Sequence, residues 1–326
     1  MTDINIQTPD QVYDTIIIGT GPAGVAAAIY AIRREMKVLL IGKELGGQMT
    51  LSNEIENYPG IVSIKNFDLI DKFSEHLKSA GVVPKISEVK VIEKTPAGTF
   101  KLYTTKDSFE TKTIIVAMGL IPQRLAIPGE ERLAGKGVSY CANCDGPLFK
   151  NKVVAVVGGG NSALDAAEVL SKIASKVYLI HRRDKFRAFE ELVDQVKARP
   201  NIEILASSEI KDIIGENKLE KLNIINNQTG ESKEISLNGL FIEIGRIART
   251  DLVGELVKRD ERNQIITDEK CRTSHDGIFA AGDVTQTEFK QITVALGQGT
   301  IAALAAYQYL QFKQGKPVKR VADYSR

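Results

Sequence analysis

The apolar residues of this chain fall into short runs that stop at glycines. Thr15-Ile16-Ile17-Ile18 leads into Gly19-Thr20-Gly21-Pro22-Ala23-Gly24, a helical stretch, and then Val38-Leu39-Leu40-Ile41. That order predicts strand, glycine turn, helix and strand. It returns further along: Val153-Val154-Ala155-Val156-Val157, then Gly158-Gly159-Gly160-Asn161-Ser162-Ala163, a helical stretch, and Val177-Tyr178-Leu179-Ile180. Aligning Gly19 with Gly158 places Ile41 on Ile180 without a gap, a match that chance seldom produces over a whole strand–helix–strand opening.

Each glycine of such a turn has a mechanical task. The first (Gly19, Gly158) allows the tight turn, and the second (Gly21, Gly160) lets the backbone approach a pyrophosphate. The third, Gly24 or Ala163, lets helix and strand pack closely. The helix start, at Pro22-Ala23 and Asn161-Ser162, offers unpaired N–H groups and positive dipole to phosphates. The end of the second strand reads the adenosine ribose, where an acid would accept from a 2′-hydroxyl. The second copy instead carries His181-Arg182-Arg183-Asp184-Lys185-Phe186-Arg187. Arginines there suit a 2′-phosphate, against the plainer reading of a solvated basic loop. The first copy has Gly42-Lys43-Glu44, without the expected acid.

The second repeat reads as an insertion into the first domain. Strand-like Glu203-Ile204-Leu205 and Gly239-Leu240-Phe241-Ile242-Glu243-Ile244 finish it near Gly245. Gly277-Ile278-Phe279-Ala280-Ala281-Gly282-Asp283-Val284 then reads as an apolar strand ending in Gly-Asp, with a helix over 292–309 soon after. An aspartate so placed can bind the polyol and phosphates of a cofactor. Gly119, after Ile114-Ile115-Val116-Ala117-Met118, marks the first crossover. The expected fold is α/β: two Rossmann-like, dinucleotide-binding three-layer domains, the second inserted into the first. The expected bounds are 1–117 with 247–326, and 118–246.

Composition removes several classes of function. The 326 residues carry a formal charge of +2 with acids and bases mixed, which predicts neither a nucleic-acid nor a membrane partner. The nearly apolar stretch 292–310 contains Thr293, Gln298, Thr300 and Gln308, and reads as a buried helix rather than a membrane span. Met1-Thr2-Asp3-Ile4-Asn5 lacks a basic-then-apolar leader, so no signal peptide and a cytoplasmic location are expected. Three cysteines do not make a secreted disulfide framework.

Cys141-Ala142-Asn143-Cys144-Asp145 is the chemically active stretch. By itself the pair reads as half a zinc site, a redox pair or two packed thiols. Zinc lacks ligands, because only Cys271, His76, His181 and His275 remain and none shows ligand spacing; no metal site is expected. Cys271 reads as a structural or incidental thiol, and His76 and His275 as surface residues. The setting between two dinucleotide repeats argues that electrons arrive from a nucleotide cofactor and leave through sulfur, with the neighbouring acid moving protons.

Taken together, these motifs resemble the low-molecular-weight thioredoxin reductases. The resemblance runs through Gly19–Gly24, Gly46-Gly47-Gln48, Glu56-Asn57-Tyr58-Pro59-Gly60, Ile127-Pro128-Gly129-Glu130, the cysteine stretch through Gly146, the basic loop after Ile180 and the Gly-Asp motif, in family order. It implies a homodimer with FAD in the outer domain, NADPH in the inserted one and thioredoxin or a thioredoxin-like protein as substrate. It implies that Gly47, Gln48, Asn57, Gly119, Gly282, Asp283 and Gln291 contact FAD. In the same way it gives Cys144 the place against the flavin, Cys141 the attack on the partner's disulfide, and Asp145 the proton transfer. Two departures stand out: Lys290-Gln291-Ile292 where the family often has Arg-Gln-Ala, and Gly146-Pro147-Leu148-Phe149-Lys150. Both look more like reductases of peroxiredoxin systems. They leave open a peroxiredoxin-linked or glutaredoxin-like partner, with NADH or another electron donor.

Overall fold

The computed structural model describes residues 11–51 and 54–316. The N-terminal stretch in which a leader was sought lies outside them. The described chain divides into two compact units. One takes in the chain up to Thr50, Glu54–Ile121 and the chain from Ala248; the other is built on Pro122–Ile247.

The first unit is organised by a seven-stranded sheet. Its parallel part runs Ile278–Ala280, Ser108–Val116, Val12–Ile18, Val38–Gly42 and Lys85–Ile86. Alternation along the first strand divides the core into two layers. Ile17 faces the helices Pro22–Ile32 and Ile292–Lys313 with Leu40, Ile115 and Phe279. Ile16 and Ile18 face the other way, towards Phe100, Leu102 and Phe109. Each fully buried Ile or Leu contributes about 1.5–3 kcal/mol. The two helices touch through small residues, and a β-carbon on Gly299 would overlap the Ala23 carbonyl. The second helix extends to Lys313, past the expected end at 309, and among the described residues no helix is long and apolar enough to cross a membrane.

The second unit repeats the plan. Its five-stranded sheet is wholly parallel, in the order Val138–Ser139, Gly239–Ile242, Val153–Val157, Lys176–Ile180, Ile202–Leu205. Val154, Val156 and Phe241 meet the helices Asn161–Ser171 and Glu190–Lys197. Ala155, Val157 and Ile242 meet a three-stranded antiparallel sheet, Ser208–Ile214, Lys221–Asn226 and Ser232–Ser236. That third layer carries strands that the sequence reading did not name. The strand expected over 239–244 ends at Ile242, and the Gly277–Val284 motif is a three-residue strand, Ile278–Ala280, followed by a turn of 3₁₀-helix at Gly282–Val284.

Candidate active site

In the first unit the glycine turn is built as its sequence requires. Gly19 has φ +115, and a β-carbon there would overlap the Ala117 carbonyl; one on Gly24 would overlap the carbonyl of Gly19. Pro22 opens the helix at a position where its missing N–H costs nothing. Gly21 is different, because its nearest neighbours lie 3.8 and 3.9 Å from a built β-carbon and belong to Gly47 and Gly46. Gly47, at φ +55, lies back on Gly21.

Gln48 Nε2 donates to Asp283 Oδ2 at 2.7 Å, and Gly119 has its β-position 3.5 Å from the same amide. Asn57 Nδ2 donates to Gln291 Oε1 at 3.1 Å. The Gly282 amide donates to Gln298 Oε1 at 2.8 Å. The sequence-predicted set Gly19–Gly24, Gly47, Gln48, Gly119, Gly282 and Asp283 is thus brought together beyond the C-terminal ends of the parallel strands, with Asn57 and Gln291 paired to each other.

Lys290, the residue that departs from the family pattern, donates to the carbonyls of Asp283 (3.0 Å) and Thr285 (2.7 Å). Burial lowers its pKa. Its compact ammonium fits a cage of carbonyl oxygens, which accept from it without needing a planar fork. Gly42 is explained by packing: Thr20 occupies the space a side chain would need there, and its hydroxyl donates to the Glu44 carbonyl. The Glu44 side chain is exposed.

In the second unit Gly158, at φ +153, is crowded by the Glu243 carbonyl and by Ala163. A β-carbon on Gly160 would meet nothing within 4 Å. A middle glycine with open space above it is not serving packing. It leaves bare backbone at the start of the helix Asn161–Ser171, which is the fit expected of a cradle for a pyrophosphate. Ser162 is exposed beside it and Ala163 is buried.

The basic loop is tied to this turn by its backbone. Arg187 N donates to Gly159 O (2.7 Å), Phe189 N to Asn161 Oδ1 (2.9 Å) and Ser207 N to Arg183 O (3.0 Å). Arg182, Arg183 and Arg187 are exposed. His181 departs from the role given it by the sequence. It is 5% exposed, lies under Gly159, stacks on Phe186 at 5.2 Å and bonds through Nε2 to Lys185 O at 3.0 Å. The strand end turns this side chain inward, so it supports the turn and does not present itself to a ribose.

Cys141 is disulfide-bonded and 7% exposed. It precedes the short helix Ala142–Asp145; the side chain of Cys144 lies outside the described residues. Asp145 accepts from Ser139 Oγ at 2.6 Å, and its amide donates to Cys141 O at 3.1 Å. Ser139 Oγ also accepts from Cys141 N at 3.1 Å. Tyr140 donates to Glu130 Oε1 at 2.7 Å, and Glu130 accepts from the amides of Leu125 and Ala126. Burial, then this bond, raises the Tyr140 phenol. The residues before and after Cys141 are therefore anchored by a buried serine, which the sequence did not single out, and by a buried glutamate that the sequence offered only as the end of the Ile127–Glu130 motif.

Cys271 is free and buried, with its thiol pushed up to about 12 by burial, which makes it inert. His76 is exposed, but His275 is half-buried and packs on Phe100 at 5.5 Å. Its ring covers an aromatic core residue from a partly exposed position. Among the described residues no group of three His, Cys, Asp or Glu is arranged to hold a metal.

A family profile described as pyridine nucleotide-disulphide oxidoreductase matches residues 13–299. The thioredoxin reductase of Bacillus subtilis is 37% identical over 305 residues, 93% of this chain and 96% of that protein. The chain belongs to the thioredoxin reductase family. Another relative, described as a 34.2 kDa protein in the rubredoxin operon of Clostridium pasteurianum, is 40% identical over 300 residues, 91% of this chain and 97% of its own. The crystal structure of Lactococcus lactis thioredoxin reductase superposes with a TM-score of 0.81 at 42% identity, covering 91% of this chain and 99% of that one. Membership in the thioredoxin reductases makes the chain an oxidoreductase of flavin and pyridine nucleotide.

Proposed function

We propose that the chain is a thioredoxin-disulfide reductase using FAD and NADPH. The unit of Gly19 would hold FAD through Gln48, Asn57, Asp283 and their neighbours. The unit of Gly158 would hold NADPH through the Gly160 backbone and the loop of Arg182, Arg183 and Arg187. The observation that carries this reading is a disulfide at Cys141 in the same unit as a glycine turn whose middle glycine is bare. A cytoplasmic homodimer belongs to the same proposal.

When bound, the flavin and nicotinamide supply hydride and electron-pair chemistry that side chains lack. The chain's own residues do the rest. The Cys141 disulfide, paired with Cys144 in this reading, takes two electrons, and its S–S bond opens to two sulfurs that need two protons between them. Cys141 then attacks the partner's disulfide through a mixed disulfide, which Cys144 resolves. Asp145, oriented by Ser139, moves the protons of these steps.

The test is NADPH-dependent reduction of oxidised thioredoxin by the purified protein. Cys141→Ser and Cys144→Ser are each expected to abolish it while NADPH still bleaches the flavin absorbance. Undiminished turnover in either variant, or a protein that neither carries nor takes up flavin, overturns the proposal.

A further inference from the structure

The aspartate of the Gly-Asp motif is held through its backbone from both sides. Gly282–Val284 is a single turn of 3₁₀-helix, with Gly282 at φ +79. On the leading side the Gly282 amide donates to Gln298 Oε1 at 2.8 Å. On the trailing side the Lys290 ammonium donates to the Asp283 carbonyl at 3.0 Å and to the Thr285 carbonyl at 2.7 Å. A third oxygen completes the set. With its amide oriented to satisfy both ends, the buried Gln264 accepts from Lys290 Nζ at 2.9 Å and donates to Asp260 Oδ2 at 3.3 Å. Gln264 is itself fixed, because its backbone N–H donates to Asp260 Oδ1 at 2.8 Å. The next residue, Ile265, donates its N–H to Val284 O at 2.9 Å.

An ammonium has three N–H donors and no acceptor. Here all three are taken by oxygens of this chain, two from backbone carbonyls and one from an amide. Converging neutral oxygens of this kind are what replaces the hydration shell of a bound monovalent cation. No donor remains for a cofactor phosphate, so whatever Lys290 does for the site it does through the Asp283 carbonyl. The Asp283 carboxylate accepts from Gln48 Nε2 at 2.7 Å, in the set gathered around the first glycine turn.

We propose that Lys290 serves the flavin site as a tethered cation. Its ammonium fills a cage suited to a free monovalent cation, fixes the peptide that follows Asp283, and so sets the direction of the Asp283 carboxylate. It is a positioning residue and does not touch the flavin. The three oxygens answer to the charge and its hydrogens, not to the stem that carries them. A chain that lacks the stem therefore takes a small ammonium ion from solution into the same cage.

The inference rests on reading this unit as the flavin site. The FAD affinity of the natural apoprotein, measured first by fluorescence titration, tests that reading by itself. Lys290→Ala is then titrated in tetramethylammonium chloride and in ammonium chloride at equal concentration. The two ions carry the same charge, but only ammonium has hydrogens to donate. In tetramethylammonium the FAD dissociation constant is expected to exceed that of the natural chain by roughly ten- to hundredfold. Ammonium should lower it again by about fivefold or more, while the natural chain binds alike in both salts. Lys290→Met fills the cage with a side chain that cannot donate, and its loss should persist in ammonium. A lysine with a merely structural role would lower the melting temperature of the apoprotein, but would not make FAD affinity depend on which of two equal charges is in the buffer. Lys290→Ala binding FAD as the natural chain does, or equally poorly in the two salts, overturns the proposal. A second measurement uses the natural chain and does not depend on the folding of a variant. Reductive methylation by formaldehyde and cyanoborohydride should reach Lys290 about tenfold or more slowly than the exposed Lys258. Modification of the two lysines at the same rate also overturns the proposal.

Discussion

The imidazole of His181 fills the space that a β-carbon on Gly159 would occupy. At the equivalent place in the first unit the sizes are exchanged: Thr20 projects from the turn into the space left by Gly42. Each repeat thus fills the gap between its glycine turn and its second strand with one side chain, supplied from opposite sides. The exchange explains both the missing acid at Gly42 and the histidine in the basic loop, because each answers a volume before it answers a ligand.

Gly159→Ala is therefore expected to displace the His181 ring, which its stack on Phe186 and its bond to Lys185 O hold in place. Overpacking of this kind costs about 1–3 kcal/mol. The thermal midpoint should fall and NADPH affinity with it, because Arg187 N is bonded to Gly159 O. Gly159→Ala with His181→Ala should recover part of both. A single variant as stable as the natural chain would show that the ring moves freely.

His181 also carries a pH dependence. Burial lowers its pKa, and the nearby charges of Arg187, Arg183 and Arg182 act in the same direction, against the bond to Lys185 O. The unfolded histidine titrates near about 6.5. Between that value and the lower folded one, the unfolded chain binds more protons, so stability falls as pH falls. The contribution is complete above the unfolded pKa and lost on acidification through the window below it. The urea midpoint should drop between about pH 7.5 and about pH 5.5, and His181→Asn should drop less. Equal drops would place the acid sensitivity elsewhere.

Much of this architecture is legible before the structure. The two repeats stand out because parallel strands buried on both faces are written as continuous apolar runs, and each is punctuated by glycines that steric overlap demands. The antiparallel layer escapes for a physical reason. Between Ser208–Ile214 and Lys221–Asn226 the register shifts at Ile210/Asp212, so the buried Ile210 and Ile213 do not alternate. Ser232–Ser236 buries only Ile235 and reads as a polar loop. Direction is the other thing the repeat does not encode. It places His181 at a strand end, and only the fold shows that its ring points into the turn.

The carboxylate of Asp283 is expected to govern flavin binding. Lys290 and Gln298 hold the Gly282–Val284 turn through backbone atoms, at Asp283 O and Gly282 N. Asp283→Ala therefore removes the carboxylate and its bond from Gln48 without removing those supports. Loss of a charge-assisted bond costs about 1.5–3 kcal/mol. The dissociation constant for FAD, measured by fluorescence titration of the apoprotein, should rise by roughly one to two orders of magnitude. The melting temperature of that apoprotein should change little. An unchanged FAD affinity would remove Asp283 from the site.

Nucleotide choice is expected to rest on the arginines. The backbone bonds from Arg187 N to Gly159 O and from Ser207 N to Arg183 O hold the basic loop beside the turn. The exposed Arg182, Arg183 and Arg187 thus belong to a loop whose backbone is bonded to the turn of the bare Gly160, where the adenosine end of a dinucleotide would lie. With His181 turned inward, discrimination falls to these three. Only a 2′-phosphate offers them an anionic partner; the ribose of NADH does not. A lost charge-assisted contact costs about 1.5–3 kcal/mol, so Arg182→Ala should raise the NADPH Michaelis constant by roughly one to two orders of magnitude. Kinetics with NADH should be nearly unmoved, because the deleted contact never formed. Equal efficiency with NADH and NADPH in the natural chain, or no flavin reduction by either, would overturn the argument and point to the other electron donors that Lys290-Gln291-Ile292 leaves open.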